Sequence, residues 1–161
     1  MSFPPVWSAQ SRALILGTWP SPKSRAMEFY YGHPQNRFWP MMAQLTGEAV
    51  PEISDVEAKK HIILAHGLAL WDTLAACEIT GAADASIRAE KPNDVPALLR
   101  KAPIEAVFCN GSVAYKMYEK YLRAACGIAA VRLPSTSPAN AAVRPGNLCE
   151  IWGAALAPYL R

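Results

Sequence analysis

The sequence predicts an α/β fold: a three-layer α/β/α sandwich with a central, mostly parallel sheet of four strands. Two observations support this fold class. Short apolar runs of strand length alternate along the chain with segments whose apolar residues recur at helical spacing. Strands that alternate with helices favour a parallel sheet covered by helices on both faces, and right-handed crossovers then build the two outer layers.

Four apolar runs are the predicted strands. They span residues 12–16, 68–71, 104–109 and 128–133. The first of them, "RALIL", stops at Gly17 and is typical of a buried strand. Residues 77–94 are mostly small and polar, and are predicted to form a long connection with room for a helical turn.

Start and stop signals indicate two helices in the first half of the chain. Phe38, Trp39, Met42 and Leu45 recur at helical spacing, and Gly47 is a typical helix stop. The segment "SDVE" at residues 54–57 is a capping box, which predicts that the next helix starts there with the serine as its cap.

Three more helices are expected in the second half. "VPALLRKA" follows a capping Asn93 or Asp94, and Ser112 is predicted to cap the helix after it. The apolar stripe of that helix is predicted to contain Val113, Met117, Tyr121 and Ala125. The stripe of the last helix is predicted to contain Leu148, Ile151, Trp152, Ala155 and Leu156.

The composition is that of one globular domain, residues 1–161. Hydrophobic residues make up 52% of the chain and charged residues 18%, and a domain of this size can bury a core without staples. The net charge of +3 is mildly basic and does not by itself demonstrate nucleic-acid binding. The N-terminus lacks a signal-peptide pattern and no apolar run has the length of a membrane span, so we expect a cytoplasmic protein, by default a monomer.

The cysteines and histidines do not form a metal-binding pattern. Cys77, Cys109, Cys126 and Cys149 are widely spaced, without the paired spacing of zinc or iron–sulfur sites. The three histidines are scattered as well. We therefore expect reduced thiols, no metal and no cofactor.

Three loops with unusual chemistry follow predicted strands. They are "GTWPSP" with the aromatic stretch "YYGHPQNRFW" behind it, "CNGS", and "PSTSPAN". In open parallel sheets the ligand crevice lies beyond the carboxyl ends of the strands. The order of elements therefore predicts that all three loops meet at one edge of the sheet.

The same segments resemble the uracil-DNA glycosylase superfamily over most of the chain. Its Gly-x-x-Pro turn is matched by Gly17 to Pro20, and its Ser-Pro loop by Ser137 and Pro138. "HPQNRFW" is similar to the same segment of the mismatch-specific uracil glycosylases. The whole combination, with "SPAN", most resembles the hypoxanthine-DNA glycosylase branch, which acts on deoxyinosine. The resemblance implies hydrolysis of an N-glycosidic bond in base excision repair, with double- or single-stranded DNA as the partner. No lysine occupies an evident nucleophile position, so we expect hydrolysis without strand cleavage.

The chemistry of such an enzyme suits these residue types. A flipped base needs an aromatic face and polar groups on its pairing edge. Bond cleavage leaves cationic character on the sugar and negative charge on the base, which fixed dipoles can stabilise. A water must also sit near C1′. An asparagine can orient it, although an amide cannot act as a general base near neutral pH.

The resemblance implies roles for residues after the first strand. Asn36 would position the water, Tyr31 or its neighbour Tyr30 would stack on the base, and Thr18 and Trp19 would offer it backbone groups. Ser21 and Ser24 would lie near a phosphate. The alternatives are a helix cap for Asn36 and a core position for the tyrosines. Trp19 also departs from the pattern, because many uracil-specific members carry a catalytic aspartate there.

The resemblance also implies roles for the loop after the fourth strand. Ser137, Pro138, Ala139 and Asn140 would enter the minor groove. Ser135 stands where many members have a base-polarising histidine, and Ala139 where they have a bulky leucine. Asn140 is alternatively a turn residue.

Two polar residues at strand ends complete the predicted site. Asp72 and Asn110 would contact the base. The alternatives are an N-cap of a helix "TLAAC" for Asp72 and turn chemistry for Asn110. Basic residues near the loops would neutralise phosphates or are plain surface charges: Lys23, Arg25, Arg37 and Arg144.

Three functions remain open at this stage. The first is removal of hypoxanthine from deoxyinosine, and the second is removal of uracil or mismatched uracil. The third is an inactive module that binds damaged DNA or nucleotides, an interpretation prompted by the missing aspartate and histidine. "SPAN" favours hypoxanthine, whereas "HPQNRFW" favours uracil.

Overall fold

The computed structural model describes residues 3–19, 22–26, 28–78, 88–140 and 142–161. Its centre is a sheet of four parallel strands in the order β2-β1-β5-β6. These strands are β1 (Ala13–Gly17), β2 (Leu68–Asp72), β5 (Ala106–Asn110) and β6 (Ala130–Leu133). The predicted fold class is confirmed, since helices pack on both faces of this sheet.

Helices fill the outer layers. They are α1 (Pro22–Ala26), α2 (Phe38–Thr46), α3 (Val56–Leu64), α4 (Val95–Lys101), α5 (Ser112–Tyr121), α6 (Arg123–Cys126) and α7 (Pro145–Leu156). Within the described ranges, none of them is long and apolar enough to cross a lipid bilayer.

The first strand shows how the layers form. All five residues of β1 are buried. Ala13 and Ile15 join the core that contains residues of α2, α3 and α7, whereas Leu14 and Leu16 join the core that contains residues of α4 and α5. Successive side chains of a strand point to opposite faces, so a continuously apolar strand holds two helical layers at once.

The long connection predicted at residues 77–94 is wrong in part. The chain instead forms an antiparallel pair, β3 (Leu74–Glu78) and β4 (Arg88–Pro92), on either side of residues that lie outside the described ranges. The backbone N–H groups of Thr73 and Leu74 donate to the carbonyls of Gly17 and Thr18, at 2.7 and 3.1 Å. These bonds hold the chain extended beyond β2, and they exclude the alternative in which "TLAAC" is a helix capped by Asp72.

Two predicted helix caps are also wrong by one residue. The cap of α3 is Asp55 and not Ser54, because the Asp55 carboxylate accepts the N–H of Ala58 at 3.0 Å. Ser112 is the first residue of α5, and Gly111 precedes it with a φ of 95°. A side chain is strained at that φ, and a Cβ at Gly111 would also lie 3.0 Å from Cβ of Ser135.

The apolar stripes of two helices differ in part from the prediction. Helix α5 buries Ala114 and Tyr118, one residue beyond the expected Val113 and Met117. The Tyr118 hydroxyl donates to the Ile128 carbonyl at 2.6 Å, which fixes this rotation of the helix. In α7 the fully buried positions are Leu148, Trp152 and Leu156, whereas Ile151 is 45% exposed. Two other predictions are confirmed: Asp94 caps the start of α4, and α2 ends at Gly47.

The cap of α3 gives a test of the revised helix start. We expect Asp55→Ala to lower the free energy of unfolding by about 0.5–2 kcal/mol, because it removes the acceptor for one N–H of the first turn. The exposed Ser54 makes no such bond to Ala58, so Ser54→Ala is the matched control. Denaturant unfolding of both variants decides between them: a larger loss for Ser54→Ala would restore the capping box.

Candidate active site

The carboxyl edge of the parallel sheet brings the predicted site residues together. Gly17 ends β1, Asp72 ends β2 directly beside it in register, and Asn110 ends β5 on the other side. Leu133 ends β6 in register with Asn110, so the loops after β1, β5 and β6 all leave this edge, as expected. The arrangement follows from the parallel order, since neighbouring parallel strands end on the same side.

Gly17 is the point at which two polar groups converge. A Cβ at this position would lie 2.5 Å from Oδ1 of Asp72 and 2.8 Å from the hydroxyl oxygen of Tyr31. Neither distance is compatible with a side chain, so glycine is required by close approach. Tyr31 reaches this point from a backbone with a φ of 53°, which is uncommon for a residue other than glycine and marks a constrained turn.

Asp72 carries a buried carboxyl whose pKa is set by burial. Its exposed fraction is 3%, and burial raises the pKa of its carboxyl to about 7. Among the residues that the structure describes, Oδ2 of Asp72, the Tyr31 hydroxyl and Oγ1 of Thr73 are buried without a hydrogen-bond partner. Buried polar atoms are rarely left unpaired. The Asp72 carboxyl and the Tyr31 hydroxyl, which converge at Gly17, are therefore where a ligand or a water would complete the hydrogen bonding.

The two candidate stacking tyrosines have different environments. Tyr30 is 2% exposed, and its hydroxyl donates to the carbonyls of Phe3 and Pro4, so it is a core residue. Tyr31 is half-buried, and its ring packs on Phe38 at a centroid distance of 4.2 Å. Phe38 and Trp39 are buried, as predicted. Only Tyr31 of this pair can present an aromatic surface to a ligand.

The Tyr31 hydroxyl is a neutral donor. Burial, and then the charge of the nearby Asp72 carboxyl, raise its pKa. The Asn110 amide lies near enough to lower this pKa in part, but not in hydrogen-bond geometry. A buried phenol that stays protonated can donate a hydrogen bond to an acceptor on a ligand.

Asn36 contacts the start of α2 and can still accept a further hydrogen bond. Its Oδ1 accepts the N–H of Phe38 at 2.9 Å, and its own N–H donates to the His33 carbonyl at 2.9 Å. The Phe38 bond uses one of two lone pairs on the amide oxygen. The cap alternative is wrong by one residue, because the N-cap of α2 is Arg37, although Asn36 does accept an N–H of the first turn. The second lone pair of its oxygen remains for a water. The water-positioning role itself stays a prediction.

Asn110 anchors the segment that we call the Ser-Pro loop, residues 134–140. Its Nδ2 donates to Oγ1 of Thr136, and its Oδ1 accepts the N–H of Thr136, both at 3.0 Å. Both residues are buried. Asn110 is therefore a link between strand end and loop rather than a turn residue. An amide nitrogen has two N–H groups, so one of them is left for a ligand.

The Ser-Pro loop is stabilised by its own polar side chains. Asn140 donates from Nδ2 to the Ser135 carbonyl at 3.0 Å, which confirms the turn alternative for this residue. The hydroxyls of Ser135 and Ser137 accept backbone N–H groups two residues further on. Pro138 and Ala139 are exposed at the tip. They are the predicted DNA-contacting residues that the structure leaves open to a partner.

The residues after β1 depart in part from the prediction. Thr18 and Trp19 are half-buried, and the Thr18 carbonyl already accepts from Leu74. The Arg25 guanidinium lies 4.7 Å from the Trp19 ring centroid, in a cation–π contact. Ser24 is buried, with its hydroxyl accepting the Gly32 N–H at 2.9 Å, which argues against the predicted phosphate contact. The predicted Ser21 lies outside the described residues.

Arg37 is the residue whose role the sequence reasoning missed. It was expected among the phosphate-neutralising or surface charges, but its guanidinium donates to backbone carbonyls of the Ser-Pro loop and to that of Val143. The two aromatic residues that follow it in "NRFW" could have indicated that Arg37 starts near the protein interior. Phe38 and Trp39 pack into the core directly after it, so a side chain at position 37 starts next to the protein interior.

The buried carboxyl predicts how stability changes with pH. Because its pKa is raised in the folded state, Asp72 binds its proton longer there than in the unfolded chain. It therefore lowers stability progressively as pH rises from about 4 to about 7. We expect Asp72→Asn to gain stability relative to wild type over this window, on the order of 3 kcal/mol in total. Parallel denaturant curves at pH 4 to 8 test this; a constant difference between the two proteins would contradict it.

Comparisons with known proteins agree with this geometry. The model of the uracil DNA glycosylase superfamily matches residues 4–155. Hypoxanthine DNA glycosylases of Methanosarcina acetivorans and Methanosarcina barkeri (strain Fusaro) are each 34% identical over 139 residues, which is 86% of this chain and 86% of each relative. The solution NMR structure of a Methanosarcina acetivorans protein, described as a candidate uracil DNA glycosylase, matches with a TM-score of 0.78 and 32% identity, over 95% of this chain and 93% of that one. The resemblance to the hypoxanthine branch is confirmed, and the chain, with its polar cluster at the carboxyl edge of a parallel sheet, belongs to the uracil DNA glycosylase superfamily and is a DNA glycosylase.

Proposed function

We propose that this DNA glycosylase removes hypoxanthine from deoxyinosine in DNA by hydrolysing the N-glycosidic bond, as the first step of base excision repair. The observation that carries the proposal is the pair of buried groups with unpaired polar atoms, the Asp72 carboxyl and the Tyr31 hydroxyl, that converge at Gly17. The names of the two relatives at 34% identity support hypoxanthine as the base.

Asp72 is suited to the edge that deamination creates. Hypoxanthine presents a carbonyl acceptor next to an N–H donor, whereas a neutral carboxylic acid presents a donor next to an acceptor. The two can form a paired hydrogen bond when the acid is protonated, and the raised pKa of Asp72 favours that form up to about pH 7. The ionised carboxylate can accept the N–H but cannot donate to the carbonyl.

Tyr31 is the proposed stacking residue. Its ring rests on the buried Phe38, so it forms a rigid surface that loses little freedom when a base lies on it. Stacking of a base on an aromatic ring is worth about 1–3 kcal/mol. The second N–H of Asn110 is a neutral donor that can stabilise negative charge on the departing base.

Asn36 holds the water in this mechanism. The bond between C1′ and the base nitrogen breaks with its electron pair going to the base, and the water oxygen forms the new bond to C1′. The water loses a proton, the base gains one, and an abasic sugar remains. Asn36 orients the water without accepting its proton, because an amide is not basic at neutral pH.

Uracil is the second candidate base. It carries the same arrangement of a carbonyl next to an N–H, so the acid at position 72 fits it in the same way. The segment "HPQNRFW", similar to that of mismatch-specific uracil glycosylases, favours this candidate. The names of the relatives favour hypoxanthine.

Base release from labelled duplexes tests substrate and catalytic residue together. We expect wild type to release hypoxanthine, and Asn36→Ala to release it roughly 100-fold or more slowly because the water is no longer oriented. Asn36→Ser keeps an oxygen that can cap α2 and should lose activity as well, whereas Gln35→Ala, at the exposed neighbouring amide, should not.

Three results would count against this account. Release of uracil alone would assign the protein to uracil repair. Full activity in Asn36→Ser would reduce Asn36 to a helix cap. Tight binding without release of hypoxanthine, uracil or xanthine would favour an inactive binding module.

Borohydride treatment during turnover tests the hydrolytic mechanism. We expect no covalent protein–DNA adduct and no strand break before alkali, since a water and not an amine attacks C1′. Alkali applied afterwards should cleave at the abasic sites, which provides the positive control. A trapped adduct would replace hydrolysis by an amine nucleophile.

A further inference from the structure

The Arg37 side chain points into the protein and binds main chain. Its guanidinium donates to five carbonyl oxygens, those of Ser135, Thr136, Ser137, Asn140 and Val143. The N···O distances are 2.9 Å for Ser137 and Asn140, and 3.4 Å for Ser135 and Thr136. These acceptors are about a hundred residues away in sequence, so one side chain crosses between two of the site-forming loops.

A guanidinium suits this task better than any other cation. The Ser-Pro loop has no helix or strand to satisfy its carbonyls. Arginine offers five N–H donors in a rigid planar fork, and it stays charged when partly buried. A lysine amine has three donors at a single point, and cannot reach carbonyls spread along a loop in the same way. The shape of the loop therefore depends on the fork and not only on the charge.

The same contact joins the loop to the Asn36 segment. The Arg37 backbone N–H donates to the Thr136 carbonyl at 3.1 Å, next to the guanidinium contact with that carbonyl. Asn110 holds Thr136 from the other side. Asn36, which immediately precedes Arg37, is thereby kept at a set position relative to the exposed loop tip at Pro138 and Ala139.

We propose that Arg37 is a positioning residue that holds the Ser-Pro loop in the shape in which Pro138 and Ala139 enter the DNA, without touching the DNA itself. This inference rests on the proposed function. It separates Arg37 from the exposed arginines, whose charge acts on phosphates directly and equally on any DNA sequence.

Two substitutions at one position distinguish the roles. Arg37→Lys keeps the charge and most of the aliphatic stem, whereas Arg37→Ala removes both. A phosphate role predicts that lysine substitutes well, while a positioning role predicts that both variants fail. Arg144→Ala is the matched control, because it removes one exposed positive charge close to the same loop.

The measurements are binding and single-turnover base release on a duplex with one deoxyinosine, and binding to the same duplex without it. For both Arg37 variants we expect the half-saturating concentration on the damaged duplex to rise roughly 10- to 100-fold. Binding of the undamaged duplex should stay unchanged. Arg144→Ala should weaken both duplexes alike.

Three outcomes for the Arg37 variants overturn the proposal. Wild-type behaviour of Arg37→Lys would make Arg37 a charge and no more, and equal weakening on both duplexes would make it a phosphate contact. Thermal unfolding shows whether the variants fold; if neither does, Arg37 supports the whole fold and not the loop. A wild type that releases no base contradicts the proposed function separately, and a duplex with a stable abasic analogue then replaces deoxyinosine in the binding test of Arg37.

Discussion

The absence of a side chain at Gly17 is the constraint on which the site depends. The Asp72 carboxyl and the Tyr31 hydroxyl both approach within the space that a Cβ would occupy. Asp72 comes from the neighbouring strand in register, whereas Tyr31 comes from a loop that turns back with a left-handed residue. A methyl group at position 17 would separate the acid, the phenol and the strand end, and with them the buried polar cluster.

The site combines residues at the ends of the buried strands with residues on the irregular loops that follow them. The four parallel strands and their two apolar cores fix Gly17, Asp72 and Asn110. The loops that follow are irregular, but each is held by a specific polar contact from another loop or strand end. Thr136 is the clearest case, since Asn110 and Arg37 hold it from different directions. Such cross-links let irregular segments keep the positional accuracy that catalysis requires.

Much of this organisation could be predicted from the sequence, because it follows from local patterns. Apolar runs of strand length identified the central sheet, and the loops behind them identified its functional edge. What failed depends on distant partners. The segment "TLAAC" is small and compatible with a helix, yet hydrogen bonds to Gly17 and Thr18 make it a strand. Arg37 had the composition of a surface charge, and only folding places loop carbonyls from far along the chain around it. The resemblance implied that Ser24 lies near a phosphate, but its side chain is buried and its hydroxyl accepts the Gly32 N–H from further along the chain.

Under the proposed function, the unpaired atoms on Asp72 and Tyr31 also affect what happens after the bond is broken. In the proposed function, the groups that bind the base meet the same polar edge on the free base, since that edge is unchanged by loss of the sugar. Tight binding of the base and rapid product release are therefore opposed in this pocket. Each hydrogen bond that contributes to recognition also slows the departure of the product. Release of the base is easiest if water refills the pocket, because water can satisfy the same acid and phenol.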